Sequence, residues 1–306
     1  MKKRRNRLIV LTQVLALACT LVMPAMMPVQ AAEPQTVQET AQESAVTGRQ
    51  ILNFNSDWGF YRGDLEGAEA EDFDDSAFAN VTIPHTMRLE KKHCNGGSGT
   101  YKGIGWYRRY FTLGEEYAGK KINIDFEGVM IDSDIYLNGE KIYTRNGGYM
   151  GFSVDITDEV KLGETNVLAV RVSSQDNPDT PPGRPEANLD FHYYGGIYRD
   201  VTLRVTDQVY ISDALQADTV AGGGVFVTYP EVSEERATVH VNTQVVNEQD
   251  ADTGVVVEQK LKDEDGQVAA SVQSQPVSLE AGADSQIEVE MTVEQPKLWH
   301  PEHPDL

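Results

Sequence analysis

Between Arg49 and Thr206 the apolar residues recur at every second position in short runs, with turn residues between the runs. Ile122, Ile124 and Phe126 alternate with polar neighbours, and Ile131, Ile135 and Leu137 share a face opposite Asp132, Asp134 and Tyr136. Asn138-Gly139 follows at once, a pair that tolerates the positive φ of a two-residue hairpin turn, and Lys141-Ile142-Tyr143 returns. Val167 to Val172 and Val201 to Val205 supply two more strands. No segment here carries the 3.6-residue period of a long helix. Many short strands with regular turn signals predict a sandwich or jelly roll over residues 48–206.

The same grammar continues over residues 207–295 with different content. Val239, Val241, Thr243 and Val245 alternate cleanly, as do Ile287, Val289, Met291 and Val293. Val255-Val256-Val257 leads to Leu261 and the turn Asp263-Glu264-Asp265-Gly266. About seven short strands in this space match an immunoglobulin-like sandwich in size and spacing. No Cys-Trp-Cys core is available, so the likeness is architectural. The predicted fold class is all-β throughout. Residues 296–306, broken by Pro296, Pro301 and Pro304, read as a stub leading away from the second sandwich.

The amino terminus follows different rules. Lys2, Lys3, Arg4, Arg5 and Arg7 form a basic region, residues 8–27 are mostly apolar, and Val29-Gln30-Ala31 places small residues at the −3 and −1 positions of a cleavage site. Residues 1–31 therefore read as a secretory signal peptide cleaved after Ala31, which makes the product secreted or associated with the cell envelope. A membrane anchor would use the same apolar stretch, but Pro24 and Pro28 interrupt it and no basic stop-transfer flank follows. A lipoprotein reading would use Cys19, with Ala16 a poor residue three positions before it. Residues 32–47 are polar and lack aromatics, a disordered spacer. After cleavage no stretch approaches the roughly 20 apolar residues of a membrane span.

Charge narrows the partners. The chain carries 26 Lys+Arg against 48 Asp+Glu, a net charge of −22. Removing the leader takes away five basic residues and no acid, which brings the balance to −27. Such a surface disfavours nucleic acid, whose binding relies on Lys and Arg at phosphates, and anionic lipid. A neutral ligand fits better. The leader also removes one of the two cysteines, so Cys94 has no internal partner, and the cores must hold without a disulfide.

The segment 176–200 is the most unusual. Pro178, Pro181, Pro182 and Pro185 stiffen a non-regular loop that ends in Asp190-Phe191-His192-Tyr193-Tyr194 before Gly195-Gly196. Aromatic faces stack on the C–H surface of a sugar while a carboxylate accepts hydroxyl hydrogen bonds. The competing reading makes Phe191 and Tyr194 plugs of the sandwich edge and Asp190 a turn cap. A second loop around Cys94-Asn95-Gly96-Gly97-Ser98-Gly99 lacks the strand-to-helix context of a phosphate cradle. Glu69 to Asp75 lacks the ligand ladder of a calcium loop and reads as a solvated turn. His300 and His303 flank Pro301, which does not suit a zinc site. Asn247-Glu248 resembles an acid/base pair of sugar-cleaving barrels but sits between an alternating strand and a turn, and is not read as catalytic. No metal site, cofactor or catalytic pair is expected.

Several segments in their order carry a resemblance: Asp72-Phe73-Asp74-Asp75-Ser76 through Val81-Thr82-Ile83-Pro84-His85-Thr86; Gly105-Trp106-Tyr107-Arg108-Arg109-Tyr110-Phe111; Phe126-Glu127-Gly128-Val129 with Tyr136-Leu137-Asn138-Gly139; and Tyr194-Gly195-Gly196-Ile197-Tyr198-Arg199-Asp200-Val201, with Pro296 to Pro301 at the end. From about Asn53 onward the chain resembles the amino-terminal part of glycoside hydrolase family 2, most of all its β-galactosidases. The resemblance implies a sugar-binding jelly roll and an immunoglobulin-like domain ahead of a (β/α)8 barrel. Both catalytic glutamates of the retaining mechanism lie in such a barrel, which these 306 residues do not include, so the chain alone is expected to be inactive. Its partners are then a β-galactoside-type carbohydrate and the barrel of the same polypeptide. The family's D-x-x-x-x-[SG]-G-I-[FY]-R-D segment places its sugar-binding aspartate on Asp190, and Asn95 is the candidate for a binding asparagine. His192 and Tyr193 complete the expected substrate-binding set. β-Glucuronidase or β-mannosidase of the same family, or a free-standing carbohydrate-binding protein, are the alternative readings.

Overall fold

A computed structural model describes residues 48–88, 101–217 and 219–302. The leader, its cleavage site at Ala31, the spacer, Cys94, Asn95 and His303 lie outside the described residues. Among the described residues the first half contains twelve strands: β1 (Gln50–Asn53), β2 (Trp58–Arg62), β3 (Ala79–Val81), β4 (Ile104–Thr112), β5 (Lys121–Phe126), β6 (Val129–Met130), β7 (Asp132–Leu137), β8 (Glu140–Asn146), β9 (Phe152–Asp155), β10 (Thr165–Ser173), β11 (Gly196–Ile197) and β12 (Val201–Thr206). They build a four-stranded sheet in the order β1-β12-β5-β9 and a six-stranded sheet in the order β3-β2-β4-β10-β7-β8, with β11 and β6 paired separately. Every pairing is antiparallel.

The alternating positions meet between the two sheets. Ile122, Ile124 and Phe126 of β5 and Leu203 and Val205 of β12 pack against Trp58, Tyr107, Ile135, Leu137, Leu168 and Val170 of the larger sheet. Each fully buried side chain of this size contributes roughly 1.5–3 kcal/mol. The β7–β8 turn forms as the Asn-Gly pair requires, with φ of 51° at Asn138 and 88° at Gly139. Asn138 adds side-chain bonds to Asn166 Oδ1 at 2.9 Å and from Val167 N at 3.0 Å.

Two strands depart from simple alternation because their outer faces are covered. On β4 both faces are buried. The segment 63–78 crosses its outside, where Trp106 donates to Asp64 at 3.1 Å and packs with Ala68, Phe73 and Phe78. Arg108 donates to Asp75 at 3.0 Å and to Ala70 O at 3.0 Å, and Tyr110 OH donates to Asp75 at 2.7 Å. Asp75 is therefore a clasp for this covering segment, where a solvated turn was expected. On β5, Asn123 and Asp125 are buried as well. Arg204 of β12 meets Asp125 through two bonds of 2.8 and 3.1 Å and donates to Gln216 at 3.0 Å. Gln216 lies in a short helix, α1 (Ala214–Ala217).

The remaining strands are β13 (Val209–Ile211), β14 (Val225–Val232), β15 (Arg236–Asn247), β16 (Thr253–Val255), β17 (Glu258–Lys262), β18 (Val268–Gln273), β19 (Val277–Leu279) and β20 (Asp284–Glu294). β15 pairs with β13 and β14 in succession and with β20, while β16–β19 and β17–β18 form two further antiparallel pairs. The predicted alternation is visible in the core, where Val239 and Val241 meet Val289 and Met291, and Val245 meets Ile287, Val257 and Leu279. Lys121 of β5 joins this part to the first, lying 2.6 Å from Asp155 and 2.7 Å from Glu248. Asn247 is fully buried, donating to the carbonyls of Ala251 and Glu280 at 3.0 Å. The Asn247-Glu248 pair is thus a structural one. Among the described residues no helix is long and apolar enough to cross a membrane.

Candidate functional site

The connection from β10 to β11 carries the residues singled out for sugar binding, and its base is pinned in steps. Ser174 Oγ donates to Tyr101 O at 2.8 Å and accepts from Gly103 N at 3.2 Å. Asn177 donates to Asp132 at 2.8 Å and to Thr180 at 3.0 Å, and Thr180 donates to Asp132 at 3.1 Å. The prolines then carry the chain to Gly183, whose positive φ of 70° closes a turn on Thr180 O at 2.8 Å. A 3-10 turn, Glu186–Asn188, follows.

Glu186 is buried, meets the ring Nδ1 of His192 with one oxygen and forms an ion pair with Lys102 Nζ at 3.0 Å through the other. Leu189 enters an apolar cluster with Met130, Ile131, Tyr193 and Tyr198. The loop closes on Gly195-Gly196, where space is short. A methyl group on Gly195 would sit 2.4 Å from Ser174 Cβ, and one on Gly196 would sit 2.6 Å from His85 O. Backbone bonds from Met87 N to Gly195 O at 2.8 Å and from His85 N to Ile197 O at 2.7 Å hold the two glycines against the strand entry.

Of the sequence-predicted residues, the three that are described, Asp190, His192 and Tyr193, do not face one common site. Asp190 is exposed and has no hydrogen-bond or ion partner among the described residues. Phe191 beside it is 49% exposed, so it does not plug the sandwich edge. His192 is half-buried and turned back to Glu186. Tyr193 points inward, only 5% exposed, with its hydroxyl donating to Asp176 at 3.0 Å and Lys102 Nζ 3.3 Å from its ring centre. Burial, and after it the bond to Asp176, pushes the Tyr193 hydroxyl well above the usual phenol range, so it stays protonated. Asn95 lies outside the described residues. Sequence reasoning missed Lys102, Asp176 and Glu186, the three charges that organise the loop. Asp176 and Glu186 flank the proline run, but nothing in the local pattern pairs them with a lysine some seventy residues earlier.

Beyond the glycines, Arg62, Pro84, His85, Thr86, Met87, Arg88 and Tyr198 line a cleft of about 550 Å³. His85 Nδ1 is 2.9 Å from the Tyr107 hydroxyl, and burial lowers the imidazole pKa from its ordinary value. Among the described residues no group of three or more His, Cys, Asp or Glu side chains could hold a metal ion. Chemically, this end of the sandwich offers an open carboxylate beside an open aromatic face, both on a braced loop. That pairing suits hydroxyl-rich ligands with apolar C–H faces.

Comparison with known proteins gives a consistent picture. Residues 30–207 match the family model described as glycosyl hydrolases family 2, sugar binding domain, and residues 223–306 match that described as glycosyl hydrolases family 2. A β-galactosidase of Thermoanaerobacter pseudethanolicus is 33% identical over 261 residues, covering 85% of this chain and 32% of that protein. A β-galactosidase of Bacteroides ovatus is 35% identical over 270 residues, covering 86% of this chain and 29% of its own length. A β-glucuronidase of Formosa agariphila is 29% identical over 266 residues, covering 84% and 27% respectively. Among solved structures, β-glucuronidase 2 of Bacteroides uniformis superposes with a TM-score of 0.72 at 29% identity, over 84% of this chain and 29% of that one. The chain spans about a third of the length of the curated relatives it matches.

Proposed function

The chain belongs to glycoside hydrolase family 2, of which it carries the sugar-binding and immunoglobulin-like portion, and from that membership we propose that it helps hold the terminal sugar of β-galactosides for retaining hydrolysis. The observation that supports this reading is the pair Asp190 and Phe191, open to solvent beside His192 and Tyr193, which are tied down to Glu186 and Asp176. Asp190 accepts hydrogen bonds from sugar hydroxyls, and Phe191 covers an apolar face of the ring. In this reading Asn95 contributes a further polar contact. The carboxylate pair that a retaining mechanism needs comes from a barrel in a longer polypeptide, and the present segment contributes binding. In the same reading residues 1–31 direct export and the product acts outside the cytoplasm.

A β-glucuronide is the second reading, because relatives of both kinds match the chain. A neutral galactoside is preferred here, since a chain of net charge −22 disfavours a substrate that is itself an anion. The test uses the polypeptide that carries this segment with a catalytic barrel, assayed on 4-nitrophenyl β-galactoside and β-glucuronide. Galactoside should give the higher kcat/KM. Asp190→Asn weakens charge-assisted bonds worth about 1.5–3 kcal/mol, so kcat/KM should fall roughly 10- to 150-fold, with KM raised and kcat lowered. Unchanged kinetics would remove Asp190 from the site, and a preference for glucuronide would replace the substrate.

A further inference from the structure

The loop from Asp176 to Tyr193 is gathered around a single ammonium group. Lys102 Nζ lies 3.0 Å from Glu186 Oε2, 3.9 Å from Asp176 Oδ1 and 3.3 Å from the centre of the Tyr193 ring. These contacts fall at the start, the 3-10 turn and the end of the loop. The Lys102 backbone is itself fixed, because Tyr101 and Gly103 on either side bond to Ser174 at the root of the same loop. Exposed ion pairs contribute little. Here the Glu186 side chain is only 5% exposed and that of Lys102 23%, so partial desolvation strengthens the attraction and makes loss of one partner costly.

Glu186 passes the restraint on, since its second oxygen receives His192. Leu189 is held in the cluster with Tyr193. Between the anchored Leu189 and the anchored His192 stand only Asp190 and Phe191, both exposed to solvent. We propose that Lys102 is a positioning residue for the sugar-binding carboxylate, acting through Glu186, Asp176 and the Tyr193 ring to hold the Asp190 backbone in place. It touches no sugar. The inference rests on the sugar-binding reading of Asp190 and adds the residue that keeps that group in position.

Two measurements test it. In this chain, Lys102→Met should speed amide hydrogen exchange in residues 186–193 at least tenfold, with β5 and β12 unchanged. In the barrel-carrying polypeptide, Lys102→Met should lower galactoside kcat/KM about tenfold, and Lys102→Met combined with Asp190→Asn should lose no more than Asp190→Asn alone. Lys102→Arg should recover part of the loss. Unchanged exchange in 186–193 would overturn the proposal, and so would losses that multiply in the double variant. If Asp190→Asn is itself silent, the sugar-binding reading fails, while the exchange result still decides whether Lys102 holds the loop. Should Lys102→Met unfold the sandwich, Glu186→Gln keeps the side chain's shape and removes its charge. It should speed exchange in the same peptide, and no change there would also overturn the proposal.

Discussion

Replacing Arg204 tests how the first sandwich tolerates charge on a buried face. Arg204 is 1% exposed and Asp125 8%, and the guanidinium also donates to Ser153 at 3.1 Å and Gln216 at 3.0 Å. Breaking such a pair from one side costs about 3–5 kcal/mol, because the remaining charge is buried without compensation. Arg49 changes the arithmetic. It lies close enough to feel both Arg204 and Asp125, so after Arg204→Met it still offsets the aspartate, and a cost near 3 kcal/mol is expected. Asp125→Asn is worse, since two guanidinium groups then face each other with only Asp213, beside Arg49, to offset them. Removing both charges with Arg204→Met and Asp125→Leu should cost less than the sum of the single changes. Urea unfolding followed by tryptophan fluorescence reads the right domain, because Trp58 and Trp106 are buried in the first sandwich and Trp299 is exposed. With a slope of about 2 kcal/mol per molar urea, Arg204→Met should lower the midpoint by roughly 1.5 M. A shift under about 0.3 M, or an Asp125→Asn variant more stable than Arg204→Met, would refute the reasoning.

Three further outcomes are expected. Gly196→Ala places a methyl group 2.6 Å from His85 O and 2.7 Å from the Tyr107 hydroxyl at a φ of 130°. Strain and overpacking together should cost at least about 2 kcal/mol in the same urea assay, and a wild-type midpoint would show that the loop closes another way. His85 resists protonation in the folded state because of burial, so the unfolded chain binds the extra proton. Stability is then full above the unfolded value near 6.5 and falls as pH drops below it. Between pH 7.5 and 5.5 the wild-type midpoint should drop further than that of His85→Gln, and equal drops would exclude the histidine as the cause. Sequencing of the exported product should begin at Ala32; retention of Met1 to Ala31 in the mature protein would remove the signal-peptide reading.

The two sandwiches were legible because their cores obey a period of two: Ile122, Ile124 and Phe126 and the Val239 to Val245 series face inward as the alternation requires. The opposite faces were not legible to the same degree. Asp125 stands at a polar position of the β5 alternation, yet it is buried, as is Arg108, because a polar residue shows where water would suit it and not whether another segment supplies the same hydrogen bonds. Residues 63–78 and the α1 helix are such segments, and their docking depends on tertiary contacts with no local periodicity.

The loop between β10 and β11 divides along the same line. Composition identified an unusual loop, and a motif placed a carboxylate at Asp190, but which aromatic faces out was decided by ion pairs of long sequence range. Tyr193, expected in the substrate-binding set, is drawn inward by Lys102 and Asp176. Phe191, with no polar group to satisfy, is left outside. Burying Phe191 in place of Tyr193 would expose more hydrophobic stabilisation to gain, but it would leave Asp176 and Lys102 without the phenol between them. The charged base of the loop therefore sets the orientation of its tip, and the residues that control binding are expected to be those beneath the site as much as those within it.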